Sequence, residues 1–560
     1  MQIKGIGVCG GMAIAPIHYV ESPCPADINE HTDREPAQLK ARLDELTAAL
    51  QQEFLSRAAL LRQREQTQDA EMLEMQAVML CDVTFQNGVC RYLDQGYSLA
   101  ASITRSSNDQ QQGILETEDP YLMERVADVA DMASRLVYAC WEIPYPDLSQ
   151  LDHPVVVAAE DLQPSMLVSA PEEFIQGLVL EHGSRTSHIA ILAAGRELPT
   201  LVGCEDLSAL HASFRAGKPE LVCLDADQGT LSFAMTDQEL QQARQKLEAW
   251  QQERQALFVY RDQICATADG ERVYLYGNIM EAAAAERVRE YGGDGVGLFR
   301  TEFLYMNRST LPSEEEQFAH YRAAVRKMGG KDVTIRTMDI GADKQTPALD
   351  LGREENPFLG FRAIRVCLAK PDILRTQLRA ILRASAFGPV KILFPMISRM
   401  SELDQALAIL EDCKAQLRQE GKSFDESIRI GIMVEIPSVA ILASQFIQKV
   451  DFFSIGSNDL TQYTLAVDRM NEKIDYLYDG LDPAVLTLIR ASVRAADQAG
   501  GGKTCGLCGE LGSDPKAVPI LLGLGLRHLS VNPSALLQTK RLISQLHRSD
   551  LERAVAQLNL

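Results

Sequence analysis

No stretch of the 560-residue chain approaches the roughly 18–20 consecutive apolar residues that a bilayer-spanning helix needs, so nothing in it reads as membrane-inserted. Basic residues are in deficit: 55 Lys+Arg against 77 Asp+Glu leave a formal balance of 55 − 77 = −22. A pI near 5.0 argues against nucleic acid or an anionic membrane as the main partner and leaves room for a local basic site. The 12 Cys lack the regular spacing of a disulfide framework, which in a chain this long fits reduced thiols and a cytoplasmic location. No P-loop-like glycine run occurs ahead of residue 151, and no short-period repeat is visible. What remains is ordinary globular composition, 46% hydrophobic and 24% charged, in a chain long enough for about three to five domains.

Residues 1–20 (MQIKGIGVCGGMAIAPIHYV) loosely resemble a secretory signal, but four glycines interrupt them and the basic region is one Lys. They read instead as a strand, a glycine turn and a second strand. From 35 to 140 the pattern is helical, with Leu39, Leu43, Leu46 and Leu50 at i, i+4, i+7 and i+11 on one helix face. Asp119-Pro120 breaks it before a further helical stretch, which suggests a bundle of antiparallel neighbours. Beyond Pro144 and Pro146 the character changes to short apolar strands at 155–159, 175–181 and 220–225, with one helix from 186 to about 195. Residues 236–260 then form a charged, Gln-rich helix with little apolar face, of the kind that bridges domains.

The remainder alternates strand and helix. Strand candidates fall at 273–278, 295–299, 333–338, 391–395, 430–435, 452–455, 504–508 and 528–531. Eight strands in nearly 300 residues fit a (β/α)8 barrel, whose chemistry sits at the carboxyl ends of its strands. An open doubly wound sheet shows the same alternation, but no Gly-rich dinucleotide turn follows the first strand. Along the strand ends come Arg300-Thr-Glu302, Arg336, Asp339, Arg362, Glu435, Ser457-Asn458-Asp459, Arg469 and Cys508-Gly-Glu510. Arginine forks bind phosphate and carboxylate bidentately and stay charged, so this mouth suits a small, highly charged anion. Glu435 and Asp459 inside an arginine ring make sense as ligands of a hard cation, with Mg2+ the natural choice. Salt bridges at strand ends would account for any one arginine but not for the set. Cys505-Gly-Leu-Cys508 could be half a zinc site or a redox pair, but no second pair accompanies it. Its place after a barrel strand favours Cys508 as an acid, with a thiol pKa lowered by the surrounding arginines.

In Gly183-Ser-Arg-Thr-Ser-His188, Thr186 or Ser187 can cap the helix and leave His188 in its first turn. A phosphate on that imidazole would be favoured by the helix dipole and its free N–H groups. A neutral imidazole is also a competent nucleophile near neutral pH. A single histidine at a cap is more commonly structural, so the reading depends on context.

These segments supply the context. GSRTSHIAILAAGRELPTLVG is similar to a phosphohistidine signature; GVGLFRTEFLYM, IRTMDIGADK, EENPFLGFRAIR, MVEIPS, DFFSIGSNDLTQYTLAVDR and LCGELGSD resemble phosphoenolpyruvate-binding barrel motifs. Together, over essentially the whole length, they resemble the enzyme I family of the bacterial phosphotransferase system, the phosphoenolpyruvate–protein phosphotransferases. The resemblance implies a multidomain α/β protein: a C-terminal (β/α)8 barrel and a swivelling phosphohistidine domain with an inserted helical bundle. Its expected divisions are 1–20, strands packing with the phosphohistidine domain; 21–146, helical carrier docking; 147–233, phosphohistidine; 234–262, linker; and 263–560, barrel and dimerisation. By the same resemblance His188 accepts the phosphoryl group and Cys508 protonates the enolate carbon. Glu435 and Asp459 match Mg2+ ligands, and Arg300, Arg336, Arg362, Asn458 and Arg469 match substrate binders. The implied partners are phosphoenolpyruvate, an HPr-like histidine phosphocarrier that drives sugar uptake, and a second copy of the chain.

The sequence departs from the family pattern at Ser184, at Ala194-Gly195 and at Ala342, none of them a catalytic group. Gln76 stands where the family commonly has a histidine, which points to a specialised carrier. Pyruvate phosphate dikinase and phosphoenolpyruvate synthase share the logic but carry a large nucleotide-binding domain ahead of the phosphohistidine segment, for which this chain has no room. A non-catalytic regulator of the same fold is disfavoured because His188, Cys508 and both carboxylates are present. A histidine on a different domain from the barrel further predicts a rigid-body swing with hinges near 143–150 and 230–262.

Overall fold

The computed structural model describes residues 2–20, 27, 29–63, 67–116, 120–143, 145–146, 148–162, 166–167, 170–183, 188–196, 198–205, 207, 221–306, 310–341, 348–349, 351–352, 354–469, 471, 473–556 and 558. The chain divides into two compact units, Met1–Glu253 and Arg254–Leu560. The first contains an eight-stranded mixed sheet. Its strands are β1 (Gln2–Lys4), β2 (Ile6–Cys9), β3 (Met12–Val20), β4 (Val155–Ala159), β5 (Ile175–Leu180), β6 (Thr200–Val202), β7 (Leu221–Asp225) and β8 (Thr230–Ser232). They lie in the order β1-β8-β7-β3-β4-β5-β6-β2. The signal-like N-terminal residues are therefore sheet strands, and β3 runs parallel to β4 and antiparallel to β7.

All of β4 is buried, as expected for a strand covered on both faces. Val155, Val157 and Ala159 face one core with Leu178 and Leu180, while Val156 and Ala158 face another with Val179 and Leu224. The helix His188–Gly195 crosses from β5 to its parallel neighbour β6, so His188 opens a helix just beyond the carboxyl end of a strand. Residues 184–187, expected to cap that helix, and residue 342 lie outside the described residues. So do the side chains of His188 and of residues 194 and 195.

Among the described residues, five α-helices lie between β3 and β4: α1 (Pro36–Gln63), α2 (Thr67–Met79), α3 (Val83–Asp94), α4 (Leu99–Glu116) and α5 (Pro120–Cys140). Leu39, Leu43, Leu46 and Leu50 all turn inward with Phe54, as their spacing predicts. Each such burial contributes about 1.5–3 kcal/mol before entropy is counted. Asp82 caps α3 by accepting from the Thr84 and Phe85 N–H groups. Gln76 is buried and donates from Nε2 to Asp131 Oδ2 at 3.1 Å. Asp131 also accepts from Tyr145 Oη at 2.8 Å and pairs with Arg135. A buried side chain can act on a docking surface only through its packing, so any effect of Gln76 on carrier choice would be indirect.

The second unit is a closed, all-parallel barrel. Its strands are β9 (Tyr274–Ile279), β10 (Gly295–Phe299), β11 (Asp332–Arg336), β12 (Val390–Phe394), β13 (Arg429–Val434), β14 (Phe452–Ile455), β15 (Thr504–Leu507) and β16 (His528–Val531). β16 pairs with β9 and closes the ring. The segment that follows the helix Asp237–Leu257 is fastened by Lys540. The Lys540 Nζ donates to the carbonyls of Tyr260, Arg261, Gln263 and Gly292 at 2.8–3.2 Å. Four backbone acceptors around one ammonium compensate its burial.

Candidate active site

Every barrel residue singled out from the sequence lies at or just beyond the carboxyl end of a strand, except Arg362 and Arg469, which sit in the connections that follow β11 and β14. Arg336 ends β11, and its buried guanidinium bonds Glu302 Oε1 at 2.7 Å and Asp339 Oδ2 at 3.0 Å. Arg362 donates to the same Asp339 at 2.8, 3.0 and 3.2 Å and to Tyr463 Oη at 3.3 Å. One carboxylate therefore bridges two arginines. Burial alone would lower both guanidinium pKa values, but Glu302 and Asp339 for Arg336, and chiefly Asp339 for Arg362, outweigh it and raise them. Gly341, at φ +130°, lets this segment approach Arg362; a Cβ there would lie 2.2 Å from the Arg362 Cβ.

Glu435 follows β13 and is fully buried. Its Oε1 accepts from the Met396 N–H at 2.5 Å, and Met396 itself holds a positive φ of 56°, a strained backbone for a non-glycine residue. Its Oε2 has no hydrogen-bond partner, and neither has the buried Asp459 Oδ1. Burial first, then the nearby charges of Asp459 and Asp339, push the Glu435 carboxyl up to about 8 against the pull of Arg336 and Arg362. Two buried carboxylate oxygens without a hydrogen bond, the Asp459 one approached only by Arg469 at 3.7 Å, are the chemistry expected of ligands to a hard cation. Gly456 keeps the space beside them open, since a Cβ there would sit 3.1 Å from Glu435 Oε2.

Arg469 reaches Asp459 at 3.7 Å and hydrogen-bonds Tyr478, whose hydroxyl donates to the Asn458 carbonyl. Asn458 exchanges two hydrogen bonds with Glu510, and it borders a cavity of about 340 Å³ shared with Ser457, Thr461 and Tyr478. Cys508 is buried with Leu298, Leu393, Met433 and Phe452, and feels Arg336 and Arg300. Burial pushes its thiol up; a hydrogen bond with Ser454 and the two arginines pull the other way without overcoming it. The expectation of a lowered thiol pKa is therefore corrected, because desolvation outweighs the cationic neighbours. Arg300 follows β10, half-buried, with no hydrogen bond from its side chain among the described residues.

Besides Glu435 and Asp459, the mouth holds Glu302 and Asp339, which pair with Arg336 and Arg362, and Glu510, which bonds Asn458. Asp339 and Glu302 were legible as strand-end residues, and the i,i+3 spacing of Arg336 and Asp339 was the signal of their pairing. Arg336 Nε is buried without an acceptor, a third orphaned atom complementary to the two carboxylate oxygens.

Among the described residues, no helix is long and apolar enough to cross a membrane. Three family models match in order: PEP-utilising enzyme, N-terminal, at 4–125; PEP-utilising enzyme, mobile domain, at 151–229; and PEP-utilising enzyme, PEP-binding domain, at 254–548. The chain is 39% identical to the phosphoenolpyruvate-protein phosphotransferase of Staphylococcus carnosus (strain TM300), with 99% of this chain and 96% of that one covered. It is 38% identical to those of Listeria innocua serovar 6a and Bacillus subtilis (strain 168), covering 98% of this chain and 95% of each. Arranged over a closed parallel barrel and a sheet whose crossover helix begins at a histidine, these matches settle the family: the chain belongs to the phosphoenolpyruvate-protein phosphotransferases.

Proposed function

We infer that the chain takes the phosphoryl group of phosphoenolpyruvate onto its own His188 and passes it to a histidine of a small HPr-like phosphocarrier. The observation that carries this is that the mouth leaves an N–H donor on Arg336 and one buried carboxylate oxygen each on Glu435 and Asp459 without a hydrogen bond, the Asp459 oxygen having only Arg469 at 3.7 Å. A site that wants an anion and a cation together fits a metal-bound phosphorylated acid. Asp459 raises the Glu435 carboxyl through their mutual repulsion, which a divalent cation held between them would relieve.

Arg300 and Arg469, which lack a buried bidentate carboxylate partner, would grip the phosphate and carboxylate of the substrate. Arg336, fixed by Glu302 and Asp339, presents Nε to a phosphoryl oxygen, and Asn458 adds a neutral donor. Arg362 holds Asp339 in place and contributes charge. Mg2+, which Glu435 and Asp459 would hold, supplies positive charge against the phosphoryl oxygens when bound. A His188 imidazole nitrogen attacks phosphorus, the P–O bond to the enol oxygen breaks, and the enolate takes a proton on carbon from the Cys508 thiol. The raised thiol pKa keeps that proton in place at neutral pH, and solvent restores it afterwards.

The division into strands 1–20, carrier-docking helices 21–146, phosphohistidine domain 147–233, linker 234–262 and barrel 263–560 belongs to this reading. So do homodimerisation through the barrel, a cytoplasmic location and the swing of the phosphohistidine domain. Incubation with 32P-labelled phosphoenolpyruvate and Mg2+ tests it. Acid-labile label should appear on the chain, vanish in His188→Ala, pass to one of a panel of carriers, and fail to appear from labelled ATP. Label retained by His188→Ala would overturn the assignment.

A further inference from the structure

Gln377 is fully buried on the helix Pro371–Ser385, outside the strand-end segments where chemistry was sought. Its amide is saturated with directed bonds. Oε1 accepts from the Met338 N–H at 2.8 Å, which fixes the orientation of the amide because a backbone N–H can only donate. Nε2 then donates twice, to Thr301 Oγ1 at 3.1 Å and to Tyr321 Oη at 3.0 Å. The Thr301 hydroxyl donates on to the carbonyl of Arg336 at 2.9 Å, and the Tyr321 hydroxyl to Gln317 Oε1 at 3.0 Å. Gln317 Nε2 ends the chain on the Pro312 carbonyl at 3.0 Å. Every proton in this relay has one consistent direction.

We propose that Gln377 is a positioning residue for phosphoryl transfer: one side chain sets the spacing and orientation of the two strand-end segments that carry the substrate arginines. Thr301 lies between Arg300 and Glu302, and Met338 between Arg336 and Asp339. The amide therefore holds Arg300 and Glu302 against Arg336 and Asp339, the pairs joined at the mouth by the 2.7 Å Glu302–Arg336 bond. The substrate must meet Arg300 and Arg336 at once, and the β10–β11 ladder, whose last pair is Phe299 with Ile335, ends just before both arginines, so beyond it their spacing depends on side-chain bonds. The Gln377 amide supplies them, bonded at once to the Met338 N–H and the Thr301 hydroxyl. The positioning of the mouth thus depends on a helix on the outside of the barrel.

This inference rests on the function proposed above, and its test separates the two. Gln377→Met keeps the shape of the side chain but none of its hydrogen bonds, while Tyr321→Phe removes the outer partner and leaves the bonds to Thr301 and Met338. Both are purified as the full chain, checked for folding by circular dichroism, and assayed in each half-reaction. In Gln377→Met, His188 labelling from phosphoenolpyruvate should slow on the order of 10- to 100-fold, the scale for a displacement of about 1 Å. Transfer from phosphorylated carrier to His188, which does not use the barrel, should be unchanged. Tyr321→Phe should lose thermal stability and keep its labelling rate. Wild-type rates in folded Gln377→Met, or an equal loss in Tyr321→Phe, would overturn the positioning role. Failure of the wild-type chain to label would instead refute the proposed function.

Discussion

Asp339→Asn tests how the mouth is held together. Asp339 is buried and makes three contacts with Arg362 and one with Arg336. The substitution keeps the shape but removes the charge, and it turns an NH2 group toward guanidinium N–H groups. Arg336 would keep its 2.7 Å bond to Glu302. Arg362 would keep the Tyr463 hydroxyl at 3.3 Å, a neutral partner. The damage is therefore mainly one uncompensated buried guanidinium, which costs about 3–5 kcal/mol. That is a large part of the 5–15 kcal/mol by which domains are ordinarily stable. Both tryptophans, Trp141 and Trp250, precede the barrel unit, so their fluorescence does not report it directly. Urea titration followed by hydrogen exchange of β11–β13 does. Glu302→Gln should cost less, because Arg336 then still has Asp339. A loss below about 1 kcal/mol for Asp339→Asn, or a greater loss for Glu302→Gln, would refute the reasoning.

Two further outcomes follow from titration. The folded-state pKa of Glu435, about 8, lies above its unfolded value, so the folded chain binds the extra proton. Its contribution to stability in metal-free protein is fully present below the unfolded carboxylate range and is lost as pH rises through about 8. Urea midpoints in chelator should fall over that window and flatten in Glu435→Gln or with Mg2+; an unchanged slope in the variant contradicts the assignment. Burial holds Cys508 as a thiol, so iodoacetamide should modify it far more slowly at pH 7 than the exposed Cys81. Cys508→Ala should slow pyruvate release about 10²–10⁴-fold without affecting transfer between carrier and His188. Rapid alkylation at pH 7, or undiminished pyruvate release, would remove it from the acid role.

Much of the frame was legible because it is written in local patterns. Strands β10, β14 and β16 occupy the segments expected of them, since each is a short apolar run bounded by residues that end a strand. The other barrel strands differ by a residue or two, where the end of an apolar run and the end of a hydrogen-bonded ladder do not coincide. The leucine stripe of α1 faces its core for the same reason of period. The candidate site was legible as a set because a parallel barrel brings all its strand ends to one rim, so strand assignment alone collects the arginines, carboxylates and thiol.

The roles within that set depend on contacts between residues far apart in the chain. Local patterns alone specify the barrel, the histidine at the head of a crossover helix and the inventory of charge at the rim. Long-range packing sets the rest: Asp339 ties up two arginines, burial outweighs Arg336 and Arg300 at Cys508, Gln76 is hidden, and Gln377 spans two strand ends. Periodicity reports which face of an element is buried, whereas desolvation and hydrogen-bond partnership depend on what the rest of the chain places opposite.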